Sequence, residues 1–138
     1  MHTAEAMSDE KVEIVRWLYD LLNRRDADGL VELCADDFFM DMSERVFNPD
    51  TYRGPQGIRQ FLRDVDEAWL SYRWDVQESR VAGDMVVTKL HCEGKSREGG
   101  PSVDWHVAWL WKLEGKTPTS VRFYREPRRA LEAAGLRE

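Results

Sequence analysis

The side chains best suited to acid–base chemistry fall in the second half of the chain, where residues of alternating polarity predict strands. Glu78 shares its predicted strand face with Trp74 and Val76, so a carboxylate is expected beside an apolar interior. Arg122 and Tyr124 alternate in the same way on the last predicted strand, but there the pattern does not show which face is buried. If these side chains meet, Glu78 would be the general base, Arg122 would hold an anionic or carbonyl oxygen and Tyr124 would donate a hydrogen bond.

The same residues also allow a purely structural interpretation. Burying an isolated charge is very costly, so Glu78 and Arg122 would instead form an ion pair or lie at the wet mouth of a pocket. Asp41 is the other carboxylate on a predicted strand near the mouth of the pocket. It lies on the face opposite Met40 and Met42, which places it at the surface.

Tryptophan is unusually frequent, with six copies in 138 residues. Trp17, Trp69 and Trp109 could form the walls of a pocket for an aromatic ligand, and packing in the core is the alternative role. The sequence therefore predicts either a tryptophan-lined site or an aromatic core.

Metal, thiol and phosphate chemistry have little support in the sequence. His91 and His106 could approach each other on neighbouring strands, but neither an HxH nor an HExxH spacing is present, so no metal site is expected. Cys34 and Cys92 are too few for a disulfide framework and indicate two structural thiols in a reducing cytoplasm. The glycines between 94 and 100 do not match a phosphate-binding loop, and no cofactor is expected.

Composition and charge narrow the class of partner. An apolar fraction of 42% with 33% charged residues is typical of a folded soluble domain. The net charge of −6, with no basic block, disfavours nucleic acid. The longest apolar run covers only 107–111, so no transmembrane span is expected.

Helical periodicity predicts three helices in the first half of the chain. The first begins at Ser8, a second short one covers about 30–34, and the third begins at Pro55. The apolar stripe of the third helix is Ile58, Phe61, Leu62, Val65, Trp69 and Tyr72. Residues 36–42 predict a short strand, and a loop is expected over 43–54.

From residue 73 the period changes to two and predicts a meander of four long strands. On the clearest of these, Trp105, Val107, Trp109, Trp111 and Leu113 share one face, and Pro127 begins a final short helix. The predicted class is α+β: a strongly curved antiparallel sheet of four long strands and one short strand, packed as a cone-shaped roll against three N-terminal helices. A single domain over 1–138 is expected, with residues 1–7 disordered.

Four segments carry a resemblance to a known superfamily. They are 52–58 (YRGPQGI), 83–87 (GDMVV), 111–116 (WKLEGK) and 124–136 (YREPRRALEAAGL). With the order of predicted elements, they resemble the nuclear transport factor 2-like (cystatin-like cone) superfamily and, within it, the SnoaL-like group named after a polyketide cyclase. The resemblance implies the fold more strongly than the chemistry, because members include isomerases, dehydratases, cyclases and binders.

The catalytic positions of enzymes in this superfamily are mostly replaced here. Similarity to ketosteroid isomerases places their three catalytic groups at Leu18, Met42 and near Trp109, all apolar in this chain. Scytalone dehydratases depend on histidines that point inward, whereas His91 and His106 of this chain lie on the polar faces of their predicted strands. The resemblance to this superfamily also implies that Ser120, Arg122 and Tyr124 of the last strand point inward. The ligand-binding residues implied are therefore Trp17, Leu18, Met42, Trp69, Glu78, Trp109, Arg122 and Tyr124, with Glu78 as the candidate catalytic residue.

Three functions remain open. The first is a small-molecule-binding protein whose ligand is hydrophobic or aromatic, with an anionic or carbonyl group. The second is a cofactor-independent acid–base enzyme, such as a cyclase, isomerase or dehydratase, acting on a hydrophobic cyclic or polyketide-like substrate. The third is a homodimeric interaction module that associates through the outer face of the sheet, where Val87, Ala108 and Leu110 interrupt an otherwise polar pattern.

Overall fold

The computed structural model describes residues 4–46 and 49–137. The helices in this part of the chain are α1 (Ala4–Asn23), α2 (Ala27–Leu33), α3 (Gly54–Ala68) and α4 (Pro127–Ala133). The strands are β1 (Phe39–Met42), β2 (Asp50–Arg53), β3 (Trp69–Ala82), β4 (Met85–Ser96), β5 (Ser102–Glu114) and β6 (Thr117–Tyr124). Helix α1 includes residues 4–7 of the segment expected to be disordered, whereas residues 1–3 lie outside the described part.

The strands form one mixed sheet in the order β2-β1-β6-β5-β4-β3. The meander from β3 to β6 is antiparallel, as predicted. The expectation of a purely antiparallel sheet with one short strand is wrong in detail, because β1 pairs parallel with β6 and the predicted loop over 43–54 contains β2. Strand β2 pairs with β1, and both are only four residues long, which left little periodicity to detect.

Helices α1, α2 and α3 cover one face of the sheet, here called the inner face, and enclose the main core. Leu18 and Leu22 of α1 and Phe61 of α3 are buried in the same cluster as the β5 residues Trp109 and Trp111. The predicted apolar stripe of α3 is thus confirmed over its helical portion. No helix in the described part of the chain is long and apolar enough to cross a membrane.

A chain of hydrogen bonds crosses this apolar core. The Trp111 indole N–H donates to the Tyr19 hydroxyl over 2.9 Å, and the Thr88 hydroxyl donates to the Trp109 carbonyl over 3.2 Å. Tyr19 Oη and Thr88 Oγ1 lie 2.6 Å apart, and Tyr19 is the donor because the single Thr88 proton is already used. Burial raises the pKa of Tyr19 well above its ordinary value, so the phenol keeps its proton.

The third helix ends earlier than its stripe suggests. Helix α3 has Pro55 in its first turn, as predicted, but it ends at Ala68, and Trp69 and Tyr72 belong to β3. The helical spacing of these two aromatic residues was misleading, because pairing with β4 outweighs local periodicity where aromatic side chains favour a strand.

Two bulges in β3 determine which face its side chains occupy. The first lies between Trp69 and Ser71 and brings Trp69 onto the same inner face as Tyr72 and Trp74. The second lies between Val76 and Glu78, so that one extra residue shifts the alternation beyond it. Side chains two residues apart therefore share a face only within a stretch of β3 that contains no bulge.

Helix α4 packs on the opposite, outer face of the sheet. Ala130 and Leu131 of α4 are buried in one cluster with Val87, Ala108 and Leu110. These three strand residues were the basis for expecting dimerisation through the outer face. That basis is wrong, because the chain's own C-terminal helix covers them.

Candidate functional site

A cavity of about 250 Å³ lies between α3 and the inner face of the sheet. Helix α3 contributes its C-terminal half, β3 and β5 contribute the facing walls, and β6 contributes Phe123. The loop after β1 closes one side with Arg45 and Val46. The hollow between helices and sheet that the sequence analysis expected is therefore present.

Aromatic rings form a large part of the lining of this cavity, and most of them contact one another. The lining aromatic residues are Phe61, Trp69, Tyr72, Trp74, Trp105, Trp109 and Phe123. Centroids of Trp69 and Trp105 lie 6.3 Å apart at 81°, which ties the start of β3 to β5 across the sheet. Trp74 and Trp109 are 5.9 Å apart at 67°, and each meets Phe61 at 6.1 Å. These tilted and edge-to-face contacts make a rigid wall that can accept a flat apolar molecule.

Polar groups are gathered on the side of the cavity near the loop after β1. Arg45 Nη2 donates to the Tyr52 hydroxyl over 2.7 Å, and Tyr52 donates to Asp64 Oδ2 over 2.6 Å. Gln60 donates to the other Asp64 oxygen over 2.7 Å. Burial, assisted by the hydrogen bond to Asp64, raises the pKa of Tyr52 to about 12, so its hydroxyl remains a donor. Both Arg45 and Asp64 line the cavity.

Tyr72 provides a second polar atom within the aromatic wall. The Trp105 indole N–H donates to the Tyr72 hydroxyl over 3.1 Å, which joins β3 to β5 from the inner side. Burial raises the pKa of Tyr72 well above its ordinary value, so it stays neutral. A neutral phenol suits hydrogen bonding to a ligand better than proton abstraction.

The β3 wall lies at the edge of the sheet and is fastened by the end of α1. Asn23 accepts a hydrogen bond from the Trp74 N–H and donates to the Trp74 carbonyl, both over 2.9 Å. Arg25 donates to the Tyr72 carbonyl over 2.9 Å, and its guanidinium carbon lies 5.1 Å from the Trp74 ring centroid. The α1 end thus supplies the hydrogen-bonding partner that a neighbouring strand would supply elsewhere.

The cavity contains only two of the ligand-binding residues expected from the sequence, Trp69 and Trp109. Trp17 is 52% exposed on the side of α1 that faces solvent. Leu18 and Met42 are fully buried in the core. Trp17, Leu18 and Met42 therefore do not line the aromatic cavity.

Arg122 and Tyr124 do not point into the cavity, which corrects the expectation taken from the family overlay. In the β5–β6 register, Val121 and Phe123 lie opposite inward residues of β5, whereas Arg122 lies opposite Leu110 and Tyr124 opposite Ala108 on the outer face. Partners directly opposite in an antiparallel pair share a face, so the β5 pattern decides the orientation of β6. Tyr124 is buried beneath α4, where it belongs to the outer cluster.

Arg122 binds other carboxylates than the one predicted. Its guanidinium lies 3.8 Å from Asp41 and 3.6 Å from Glu44 on the outer face. Arg129 of α4 lies 2.9 Å from the other Glu44 oxygen. These contacts attach α4 and β6 to the segment that follows β1, so Arg122 has a structural role in this arrangement.

Glu78 also lies on the outer face, because the second β3 bulge reverses its orientation. Its register partner is Lys89, whose ammonium nitrogen is 3.2 Å from Glu78 Oε2. The predicted Glu78–Arg122 pair is therefore wrong, and the candidate general base is absent from the cavity. Of the structural alternatives, an ion pair is present but with a different cation.

Four residues of the cavity, Trp74, Trp105, Arg45 and Asp64, are not among the site residues predicted from the sequence. Trp105 was assigned to the same strand face as Trp109, and Trp74 to an inward face, so alternation already indicated both. Arg45 gave no such signal, because it lies in a loop and reaches the cavity only through tertiary packing. Asp64 also gave no signal in the sequence, because it is a polar residue beside the apolar stripe of α3.

Neither cysteine lines the cavity, and both are buried. Burial raises the pKa of each thiol to about 12. The prediction that they are structural thiols agrees with this placement.

Solved structures with the same arrangement of helices and sheet are numerous. TerC co-crystallised with polyporic acid is 19% identical, with 91% of this chain and 98% of that chain covered and a TM-score of 0.74. RV0760c from Mycobacterium tuberculosis, in complex with estradiol-17beta-hemisuccinate, is 17% identical, with 85% and 94% covered and a TM-score of 0.69. A SnoaL-like polyketide cyclase from Jannaschia sp. CCS1, named as putative, is 20% identical, with 90% of each chain covered and a TM-score of 0.71.

At such low identity these likenesses show the fold, which is the cystatin-like cone of nuclear transport factor 2-like proteins. The family follows from the sequence itself: the chain belongs to the SnoaL-like domain family, whose model matches residues 15–117. A search of curated proteins found no significant relative. The resemblance drawn from the four sequence segments is confirmed.

Proposed function

We propose that this SnoaL-like protein binds a small, flat, aromatic molecule carrying an acidic group. The observation that supports this best is the continuous aromatic lining of the cavity beneath α3, in which four of the six tryptophans take part. A volume of about 250 Å³ is slightly below the range of about 300–1,000 Å³ usual for small-molecule sites, which favours a compact ligand.

The charges in the lining favour an acidic group on the ligand. Arg45 and Arg125 contribute two guanidinium groups, whereas Asp64 contributes one carboxylate that Tyr52 and Gln60 already engage. An anion entering the apolar cavity would gain a charge-assisted hydrogen bond from a guanidinium. The ligands named for two solved neighbours, polyporic acid and estradiol-17beta-hemisuccinate, combine rings with an acidic function and are suitable probes.

Binding is preferred over acid–base catalysis because Glu78, the expected general base, lies on the outer face. Among the described residues that line the cavity, Asp64 is the only carboxylate. Its two oxygens accept hydrogen bonds from Tyr52 and Gln60, which hold the carboxylate in place rather than present it to a substrate. The homodimer and the cytoplasmic location expected from the sequence stay predictions.

The proposal is tested by titrating each probe into the protein and following tryptophan fluorescence. We expect saturable quenching, because four indoles surround the site. In Ala68→Phe, the new ring fills part of the cavity and binding should weaken at least about tenfold, a change of about 1.4 kcal/mol. The matched control is Ala133→Phe on the exposed face of α4, which should bind like the wild type.

The acidic group is tested separately with Arg45→Gln. We expect this variant to lose affinity for estradiol-17beta-hemisuccinate but not for estradiol without the hemisuccinate, since only the former presents an anion. Saturable binding that Ala68→Phe leaves unchanged would locate the ligand elsewhere and reject the cavity. Equal losses for both steroids in Arg45→Gln would retain the cavity and reject the acidic preference.

A further inference from the structure

The outer face of the sheet carries a cluster of imidazole and carboxylate groups on β4 and β5. The β4–β5 register places His91 directly opposite His106, and Asp104 lies two residues before His106 on the same face. The two imidazole rings stack with centroids 4.8 Å apart, and Asp104 Oδ1 lies 2.5 Å from His91 Nε2. One nitrogen or oxygen atom from each of the three residues lies within 4.8 Å of the others.

The surroundings of this cluster are rich in negative charge. Asp75 of β3 is the register partner of His91, and Glu93 Oε1 is 3.7 Å from His91 Nδ1. Arg73 pairs with Asp75 over 3.0 Å and is the cation that offsets part of this charge. Three carboxylates around one imidazole pair create a potential that attracts a cation.

We propose that His91, His106 and Asp104 form a binding site for Zn²⁺ on the outer face of the sheet. Two imidazoles and one carboxylate are a ligand set typical of zinc, with water completing the tetrahedron. Ligand atoms about 2.0–2.1 Å from zinc lie about 3.4 Å apart. Asp104 Oδ1 and His91 Nε2, which lie 2.5 Å apart, must therefore separate, whereas ligand atoms up to 4.8 Å apart must approach, and rotation of the side chains can do both. Asp104 and His106 are exposed whereas His91 is half-buried, so most of that rotation must come from Asp104 and His106.

No metal site was expected from the sequence, because no single strand carries two histidines at ligand spacing. The two histidines are instead 15 positions apart in sequence and become neighbours through the hairpin between β4 and β5. Residues directly opposite on an antiparallel pair lie as close as those at helical ligand spacing. The pairing register of β4 and β5 therefore brings the two histidines of the site together.

A metal here would also hold part of the cavity wall. Within the described part of the chain, β6 pairs with β5 only from Ala108 onwards, so the preceding part of β5 pairs with β4 alone. That part includes Trp105 and Val107, which line the cavity. Zinc bound by His91 and His106 would clamp β4 to β5 at this point, whatever the cavity binds.

The site is tested by titrating ZnCl₂ into tag-free, chelator-treated full-length protein in a calorimeter. We expect one zinc per chain with a dissociation constant on the order of micromolar. His91→Ala and His106→Ala should each weaken binding at least about tenfold, and Asp104→Asn should weaken it less. His2→Ala is the matched control, because it removes the remaining histidine of the chain, and its binding should equal that of the wild type.

Two further measurements distinguish a zinc site from general attraction of cations. CaCl₂ and MgCl₂ should give no saturable heat, because these ions prefer oxygen ligands. Zinc should raise the thermal unfolding temperature of the wild type and of His2→Ala, but not of His106→Ala. Binding of zinc that survives both His91→Ala and His106→Ala, or calcium binding of equal strength, would overturn the proposal.

Discussion

At the scale of single residues, the molecule depends on polar atoms that are buried yet fully paired. The hydrogen-bond chain from Trp111 through Tyr19 and Thr88 to the Trp109 carbonyl joins α1 to the inner face of the sheet. Each donor has one acceptor, so no proton is left over. Removing a middle member leaves its neighbours desolvated and unpaired, which is more costly than the loss of one hydrogen bond.

Tyr19→Phe tests this chain. It leaves the Trp111 N–H without an acceptor and takes the donor from Thr88 Oγ1, so we expect the free energy of unfolding to fall by about 1–3 kcal/mol. Tyr124→Phe is the matched control, because Tyr124 is also buried but its hydroxyl makes no hydrogen bond within the described part of the chain. Urea unfolding measures both variants. Equal stability of the two would show that the chain contributes nothing.

At the scale of elements, β3 is both a wall of the cavity and an edge of the sheet. An edge strand presents unpaired backbone groups, and here the end of α1 satisfies those of Trp74 through Asn23. The two bulges determine which β3 side chains face the cavity, and so they make β3 a wall of that cavity. Position in the sheet and register therefore matter more for β3 than its strand propensity.

Asn23→Ala tests the attachment of α1 to β3. Both hydrogen bonds to the Trp74 backbone are lost, so we expect a fall of about 1–3 kcal/mol in the free energy of unfolding, measured with urea. Asn23→Asp keeps the acceptor for the Trp74 N–H and loses only the donor, and its stability should lie between those of the wild type and Asn23→Ala. A change below about 0.5 kcal/mol in Asn23→Ala would show that solvent replaces the amide without loss.

At the scale of the whole molecule, the sheet separates two unlike layers. The inner layer with α1, α2 and α3 holds the large core and the aromatic cavity, whereas the outer layer, in the part of the chain that the structure describes, consists of α4 and a small cluster beneath it. Cys34 on the helix side and Cys92 on β4 lie in the inner layer and are both shielded from water. Their accessibility therefore reports opening of the molecule as a whole.

Thiol labelling measures this opening and its dependence on pH. With a pKa of about 12, only about one thiol in ten thousand is ionised at pH 8, so the folded protein should resist labelling whereas both cysteines react in denaturant. Exposed thiols ionise near pH 8.5, and the folded state then holds more protons than the unfolded state. Stability from this source is fully present below pH 8.5 and falls as the pH rises towards 12.

The single-thiol variants Cys34→Ala and Cys92→Ala are the controls for this measurement. Each should release one equivalent in denaturant and none when folded. Rapid labelling of either thiol in the folded protein at pH 8 would contradict its burial.

The sequence was a reliable guide to the elements and to the family. Helical stripes located α1 and α3, alternation located the four long strands, and four short segments indicated the SnoaL-like family that the family model confirms. These features depend on local spacing and on turn residues, so one chain is enough to detect them. Strand β2 was missed because its four residues lie within the segment predicted as a loop and carry too little pattern.

The chemistry of each face was decided only by the tertiary structure. Glu78 turned outward because of a bulge, Arg122 and Tyr124 because of their partners on β5, and His91 met His106 because of the β4–β5 register. Alternation determines that neighbouring side chains point to opposite faces, but a shift of one residue in pairing exchanges those faces. The hydrogen bonds that select the register come from a second strand, so the pattern within one strand does not contain this information.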